Sequence, residues 1–202
     1  KKCRIIARTK LLQERVILGI DPGTLVMGYG LIKLVNKKLS VLHYGVLELA
    51  GYQKQAFKLH KIFAHTLKLI DEFSPDEAAL EAPFYGKNVQ SMLKLGRAQG
   101  VAMAAALARE VAITEYAPRK IKQAVTGNGN ASKEQVAHML MSLLHFTTMP
   151  EKLDASDALA VALCHAYQGT NSLASTTTWK QRLQSNPGLL YQPGKMIKTS
   201  NA

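Results

Sequence analysis

Four acidic residues, each placed where a strand ends or a helix begins, constrain most strongly what this chain can fold into. Asp21 and Glu81 each end an apolar strand pattern. Asp154 and Asp157 open an apolar helix pattern and share one helix face, because they are three residues apart. Carboxylates that end adjacent strands lie at one sheet edge, and such clustered negative charge is tolerated only around a cation. The arrangement predicts divalent-metal chemistry on phosphates.

The net charge of +12 on 202 residues is unevenly placed. Residues 1–15 contribute +5, residues 169–202 contribute +4 and the segment between them contributes +3. Cations for a nucleic-acid backbone combined with a small acidic cluster favour a nuclease, whereas basic ends that only aid solubility explain the tails equally well. We predict a basic N-terminal extension (1–15), one domain (16–168) and a flexible basic polar tail (169–202).

Two cysteines, Cys3 and Cys164, are too few for a disulfide framework, which favours a reducing compartment. Cys164 lies within an apolar helix pattern and is expected to be a buried free thiol. No apolar run approaches the roughly 18 residues of a membrane span. We therefore expect a cytoplasmic protein, although the basic start, which is poor in acids, is also compatible with a transit segment.

Hydrophobic periodicity predicts five strands and five helices in a defined order. The first three strands are joined by short links, as in an antiparallel meander, and later strands alternate with helices. This order predicts an α/β chain with a five-stranded mixed sheet flanked by helices, in the ribonuclease H-like arrangement. The predicted strands are 16–20, 28–35, 39–49, 78–81 and 111–116, and the predicted helices are 55–73, 88–109, 118–125, 132–144 and 154–167.

The helix predicted at 88–109 has an unusual surface of glycine and alanine residues between Gly96 and Ala106. Small side chains let two helices approach closely, so we expect this surface, including Ala102 and Ala105, to form a dimer contact. The same residues could instead be buried against the chain's own sheet, and one helix can do both.

Six motifs follow one another in the middle of the chain. They are Ile-Leu-Gly-Ile-Asp-Pro-Gly-Thr (17–24) with Gly-Tyr-Gly (28–30), Glu-Ala-Pro-Phe (81–84), Met-Leu-Lys-Leu-Gly-Arg-Ala-Gln-Gly (92–100), Glu-Tyr-Ala-Pro-Arg-Lys-Ile-Lys-Gln (115–123), Gly-Asn-Gly-Asn-Ala-Ser-Lys (127–133) and Asp-Ala-Ser-Asp-Ala-Leu-Ala (154–160). In this unbroken order they resemble RuvC, the family of bacterial Holliday junction resolvases, over residues 16–168. The resemblance implies a homodimer, two divalent ions per active site and symmetric nicking of four-way junction DNA in the bacterial cytoplasm, during recombination and repair. It also implies partnership with the RuvA–RuvB branch-migration complex.

The four acids are the expected ligands of two Mg2+ ions, for which Mn2+ is expected to substitute. Asp21 on the central strand would bridge both ions, Glu81 would hold one and Asp154 the other. Asp157 would complete the site directly or through water. Each acid also has an ordinary explanation: Asp21 suits an Asp-Pro-Gly turn, Glu81 a strand end, and the helix pair a favourable N-terminal charge.

By the same resemblance, Lys122 and Lys133 reach the scissile strand, where a cation could also stabilise transition-state charge. A solvated basic face is the alternative for both. Phe84 matches the position that the family uses at opened base pairs, and Tyr85 beside it could stack on a base or cap the core. The expected DNA contacts are Phe84, Tyr85, Lys87, Arg119, Lys120, Lys122, Asn128 and Lys133.

Two other classes of protein compete with a junction endonuclease. Actin-like ATPases and sugar kinases also open with an Asp-x-Gly-Thr turn after a strand, but this chain shows no second phosphate loop. A catalytically idle nucleic-acid-binding module would not need four intact acids. Cleavage of a labelled four-way junction with Mg2+ and without ATP separates the three.

Overall fold

A computed structural model describes residues 14–83, 88–145 and 152–171, with side chains described as far as residue 168. Within these ranges the chain forms five strands and five helices in the predicted order, and the predicted fold class is confirmed. The elements are β1 (Glu14–Asp21), β2 (Val26–Val35), β3 (Lys38–Glu48), α1 (Gln55–Phe73), β4 (Glu77–Glu81), α2 (Val89–Ala108), β5 (Ala112–Tyr116), α3 (Pro118–Thr126), α4 (Lys133–Leu144) and α5 (Leu153–Asn171).

The five strands form one mixed sheet in the order β3-β2-β1-β4-β5. Strands β1, β2 and β3 are antiparallel neighbours, whereas β4 and β5 extend the sheet in parallel with β1. The turn from β2 to β3 has positive φ at Asn36 and Lys37, the geometry of the tight turns that suit twisted hairpins. The parallel pair β1 and β4 places the carboxyl ends of both strands at the same edge.

Helices cover both faces of the sheet, because the central strands are apolar on both sides. Ile17 of β1 belongs to the core cluster with α3, α4 and α5, whereas the next residue, Leu18, belongs to the cluster with α1 and α2. The buried free thiol of Cys164 lies in the first cluster, as expected, and Cys3 lies outside the described residues. In the part of the chain that is described, no helix has both the length and the apolar character to cross a bilayer.

The alanines of α2 are used within the chain. Ala98, Ala102, Ala105 and Ala106 are almost fully buried, and all but Ala105 belong to the core cluster that joins α2 to the sheet. The expectation that Ala102 and Ala105 are accessible to a second chain is therefore wrong, because the helix turns these residues inward. A methyl group on Gly96 or Gly100 would meet no neighbouring atom within 4 Å, so the opposite side of α2 is open.

Candidate active site

Two of the predicted acids lie side by side at one edge of the sheet. Asp21 is the last residue of β1 and Glu81 the last residue of β4. The two strands pair in parallel, with Ile20 opposite Leu80. Asp21 and Glu81 are the next residues of the two strands, so they lie side by side. Both are partly exposed, as expected for side chains at the end of a buried strand.

Strand glycines allow α5 to lie directly on the sheet. A methyl group on Gly19 would overlap the carbonyl oxygen of Ala158, and one on Gly28 would overlap that of Asp154. The first turns of α5 therefore sit against β1 and β2 without intervening side chains. This close approach brings the helix face of Asp157 to Asp21. Sequence reasoning missed this role, although glycine inside a strand signals close approach of another backbone.

A cavity of about 130 Å³ opens where these elements meet. It brings together three of the predicted acids and both predicted catalytic lysines. Its lining consists of Asp21, Glu81, Pro118, Ile121, Lys122, Lys133, Val136, Asp157 and Ala160. Asp154 does not line the cavity, but its charge still raises the pKa of Asp21.

Two of the cavity carboxylates, Asp21 and Glu81, are hard to ionise in this environment. Burial is the main reason that the pKa of Asp21 rises from 3.8 to about 8, and the charges of Glu81 and Asp157 raise it further. The pKa of Glu81 is also raised, first by burial and then by Asp157. Low dielectric and like charge thus act together, and a cation is what such a site requires to keep its acids charged.

Two lysines supply positive charge on the side facing the acids. Lys133 Nζ donates a hydrogen bond of 2.6 Å to Asp157 Oδ2, and this bond raises the pKa of the lysine. A capping box between Ser132 and Gln135 fixes the start of α4 and so the backbone of Lys133. Lys122, on α3, lies near enough to lower the pKa of Glu81.

The loop between α3 and α4 is held by its own polar groups. Gln123 Nε2 donates to the carbonyl of Gly127 (2.6 Å), and Gln123 Oε1 accepts from Gly129 N (3.0 Å). Asn128 Oδ1 accepts from Asn130 N at 3.0 Å. Gly127, with φ of 75°, ends α3 in a left-handed conformation. These bonds fix the distance between the two lysine-bearing helices, a role of Gln123 that the sequence pattern did not reveal.

The remaining predicted DNA contacts are placed differently. Arg119 is exposed on α3, with its side chain beside Gly129. The Lys120 Nζ lies over the ring of Tyr116, 5.2 Å from its centroid, and not in the cavity. Phe84, Tyr85 and Lys87 lie outside the described residues.

The donor chemistry of the cavity fits a hard divalent cation. Its acidic groups are all carboxylates, the ligands that Mg2+ prefers. Within residues 14–83, 88–145 and 152–171, no three carboxylate, imidazole or thiol side chains are arranged closely enough to ligate one metal ion as they stand, although three carboxylates line the cavity. One of the cavity carboxylates, Asp157, is instead bonded to Lys133.

Comparison with known proteins identifies the same fold and family. A solved structure described as Thermus thermophilus RuvC is similar with a TM-score of 0.71 and 32% identity, covering 77% of this chain and 96% of that one. A second structure, T. thermophilus RuvC in complex with Holliday junction substrate, matches with a TM-score of 0.71 and 30% identity, covering 78% of this chain and 96% of that one.

Sequence relatives cover nearly the whole length of the chain. The crossover junction endodeoxyribonuclease RuvC of Christiangramia forsetii is 58% identical over 182 residues, which are 89% of this chain and 95% of the relative. The family model described as crossover junction endodeoxyribonuclease RuvC matches residues 17–165, which include all four acids and both cavity lysines. The chain therefore belongs to the RuvC family of crossover junction endodeoxyribonucleases.

Proposed function

We propose that the cavity at the ends of β1 and β4 is where this chain hydrolyses the phosphodiesters of a four-way DNA junction. One observation carries the proposal: three carboxylates and two lysines converge on a cavity in which burial and like charge raise the pKa of Asp21 to about 8. Perturbed carboxylates that share a cleft with cations are typical of catalytic sites. The family assignment favours a nuclease over the ATPase and the idle binding module.

Asp21, Glu81, Asp154 and Asp157 would hold two Mg2+ ions, with Mn2+ as a substitute. As Lewis acids, bound divalent ions would lower the pKa of the attacking water, neutralise charge on the phosphate and stabilise the departing 3′ oxygen. The charges of Glu81, Asp157 and Asp154 all act on the pKa of Asp21, which supports a role for Asp21 as the shared ligand. Asp154 does not line the cavity and would contribute a ligand from beside it. Asp157 would bind an ion in place of its present hydrogen bond with Lys133.

The two lysines position the scissile phosphate. Lys133 already faces a carboxylate across the cavity, and its raised pKa keeps it charged at neutral pH. When a phosphate enters, the ammonium groups of Lys133 and Lys122 can donate to its non-bridging oxygens. Donors held in place by α3, α4 and their rigid loop stabilise charge that develops there without reorganising.

Junction selectivity is proposed to come from residues around the cavity. Arg119 and Asn128 lie on or after α3, close in the chain to Lys122. Phe84, Tyr85 and Lys87 follow Glu81 within a few residues, which would bring two aromatic rings to the strand that enters the site. Aromatic rings stack on unpaired bases, so Phe84 is proposed to stabilise opened pairs at the crossover. Lys120, drawn to Tyr116, would serve as a more distant phosphate contact.

A homodimer would place two such cavities on one junction, as symmetric nicking requires. The outer face of α2 supports this arrangement. Val89, Leu93 and Leu107 are 66, 50 and 46% exposed, and they recur at helical spacing with the open residues Gly96 and Gly100. An apolar row of this length with glycines at its centre favours close helix packing between two copies. The RuvA–RuvB complex is the proposed partner, in the bacterial cytoplasm.

The central test uses Asp21→Asn, which keeps the shape of the side chain. We expect junction cleavage with Mg2+ to be abolished and junction affinity to be kept, because phosphate neutralisation by Lys and Arg supplies most of the binding. The Mg2+-induced rise in melting temperature should also be lost, which reports metal binding without activity. Parallel loss of binding and cleavage would contradict the assignment of Asp21 to the metal site.

A further inference from the structure

Helix α1 has a row of basic residues that the catalytic proposal does not use. Lys58, Lys61, His65 and Lys68 recur at spacings of three and four, so they share one flank of the helix, and Lys54 precedes its first turn. We call these residues the basic stripe. No Asp or Glu occurs between positions 54 and 70. Among the described residues, no lysine of the stripe forms an ion pair.

The stripe starts at the edge of the active site. Lys58 Nζ donates a 2.9 Å hydrogen bond to the carbonyl of Thr24, in the turn that follows Asp21. From this anchored end, α1 runs away from the cavity. Its inner face, which includes Ile62 and Leu69, is buried in the core and holds the helix rigidly.

The charged ends of the stripe are accessible to a large partner. Lys54, Lys61 and Lys68 are exposed, whereas Lys58 and His65 are half-buried along the same flank. Burial is the main reason that the pKa of His65 is lowered, and Lys68 and His43 lower it further, so the lysines supply the positive charge of the stripe. A rigid row of lysines in which the first acid on the same flank is Glu72, one turn after Lys68, matches a polyanion better than a mixed protein surface, because protein surfaces carry both signs of charge.

We propose that the basic stripe binds the phosphate backbone of one duplex arm of the junction, outside the catalytic cavity. This inference rests on the proposed function, because it requires DNA in that cavity. At 1.5 Å per residue, the distance from Lys58 to Lys68 is about 15 Å, the length of roughly four base-pair steps of one strand. The stripe thus guides the arm that leaves the cavity beside the turn at Thr24.

The experiment compares two double variants that remove the same charge. Lys61→Ala with Lys68→Ala shortens the stripe and leaves anchored Lys58 intact. Lys37→Ala with Lys38→Ala removes two exposed lysines at the β2–β3 turn, which lies at the opposite end of β1 from Asp21. Lys61→Arg with Lys68→Arg keeps the charge and tests side-chain identity. Affinity for a labelled long-armed junction is measured with Ca2+ in place of Mg2+ at several salt concentrations.

Each lost phosphate contact should lower the slope of log affinity against log salt by about 0.9. The slope of the stripe variant, which lacks two contacts, should therefore be less steep by about 2. When the salt concentration rises fourfold, the loss of affinity of the stripe variant should be about tenfold smaller than the loss of the wild-type protein. The turn variant and the arginine variant should behave as wild type. Cleavage by the stripe variant at saturating protein and low salt should be unchanged.

Equal slopes for the stripe and turn variants would overturn the proposal, and so would a stripe variant with wild-type affinity that fails only with a protein partner. Loss of cleavage at saturating protein would also overturn it, because the stripe would then belong to the catalytic machinery. Failure of the proposed function has a different signature, since Asp21→Asn would then still cleave while the salt slopes remained informative.

Discussion

Among single residues, Asp21 carries the least favourable charge in the active site. Its folded pKa of about 8 lies above the 3.8 of a free side chain, so the folded state binds a proton that the unfolded state has released between these values. The contribution of Asp21 to stability therefore falls as pH rises from about 4 to about 8. If these acids form the active site, as proposed, their like charges reduce the stability of the fold, as is common for functional sites.

Asp21→Asn removes this penalty. In chelator, we expect the variant to melt several degrees above wild type at pH 8, since about 1 kcal/mol corresponds to about 2–4 °C for a chain of this size. The difference should shrink at pH 5, where Asp21 is protonated in the folded state. Melting curves at the two pH values provide the measurement, and a variant that melts no higher than wild type at pH 8 would disprove the account of Asp21.

The cavity lysines and Phe84 should separate phosphate chemistry from junction opening. Lys122→Ala and Lys133→Ala should each slow cleavage by about a hundredfold, on paired and on centrally mismatched junctions alike, because their work is at the phosphate. Phe84→Ala should slow cleavage of the paired junction by roughly one or two orders of magnitude and matter much less on the mismatched one, since base stacking is worth about 1–3 kcal/mol. The measurement is the cleavage rate of each variant on both junctions at one salt concentration. If Phe84→Ala lost the same rate on both substrates, the ring would have only a packing role and the account of junction opening would fail.

Between elements, the decisive contact is that of α5 with β1 and β2. A methyl group at position 19 would overlap backbone of α5, which cannot move as a flexible side chain does. Gly19→Ala should therefore destabilise the fold by about 1–3 kcal/mol or more and displace Asp157 from Asp21. Gly51→Ala is the matched control, because a methyl group there meets nothing within 4 Å. Chemical denaturation of both variants measures the difference in the free energy of unfolding. A Gly19→Ala protein as stable as the control would contradict the close packing of α5 on β1.

Local patterns predicted the elements well because apolar periodicity is a local property. The helix predicted at 55–73 has those bounds, and β4 begins at Glu77, one residue earlier than predicted. The convergence of Asp21 and Glu81 followed from topology. Contacts between distant segments could not be predicted: Tyr116 donates to or accepts from His165 Nδ1 at 2.8 Å, and His165 Nε2 lies 3.2 Å from Glu77. The inward turn of the α2 alanines likewise depends on how the helix rotates against the sheet.

At the scale of the whole molecule, a polar network of Arg15, Glu77, Tyr116 and His165 joins β1, β4, β5 and α5, which are distant in sequence. Arg15 Nη1 bonds Glu77 Oε2 at 3.0 Å, and the interaction with His165, whose Nε2 lies 3.2 Å from Glu77 Oε2, is the main reason that the pKa of Glu77 is lowered. A depressed carboxyl pKa stabilises the fold above the unfolded value of 4.5, and this contribution is lost as pH falls through the folded pKa. Glu77→Gln should lower the melting temperature by about 2–4 °C at pH 7, for a partly exposed group worth about 1 kcal/mol. The deficit should vanish at low pH, and the exposed control Glu110→Gln should show none; a deficit that persisted below the folded pKa would argue against the ion pair.

In the proposed homodimer, the outer row of α2 would bring two active sites to one junction. Burying Leu93 and Leu107 against a second copy removes apolar surface from water at about 25 cal/mol per Å², and a charge there would be desolvated without a partner. Leu93→Glu with Leu107→Glu should therefore give monomers in light scattering at micromolar concentration, where the wild-type chain is expected to be a dimer. Leu42→Glu, on an exposed part of β3, should remain dimeric.

The monomeric variant should keep its melting temperature, because both leucines are about half exposed in the single chain. It should nick one strand of a junction without the paired second nick, since only a two-fold assembly opposes two cavities. A wild-type chain that stayed monomeric with junction bound would contradict the symmetric mechanism.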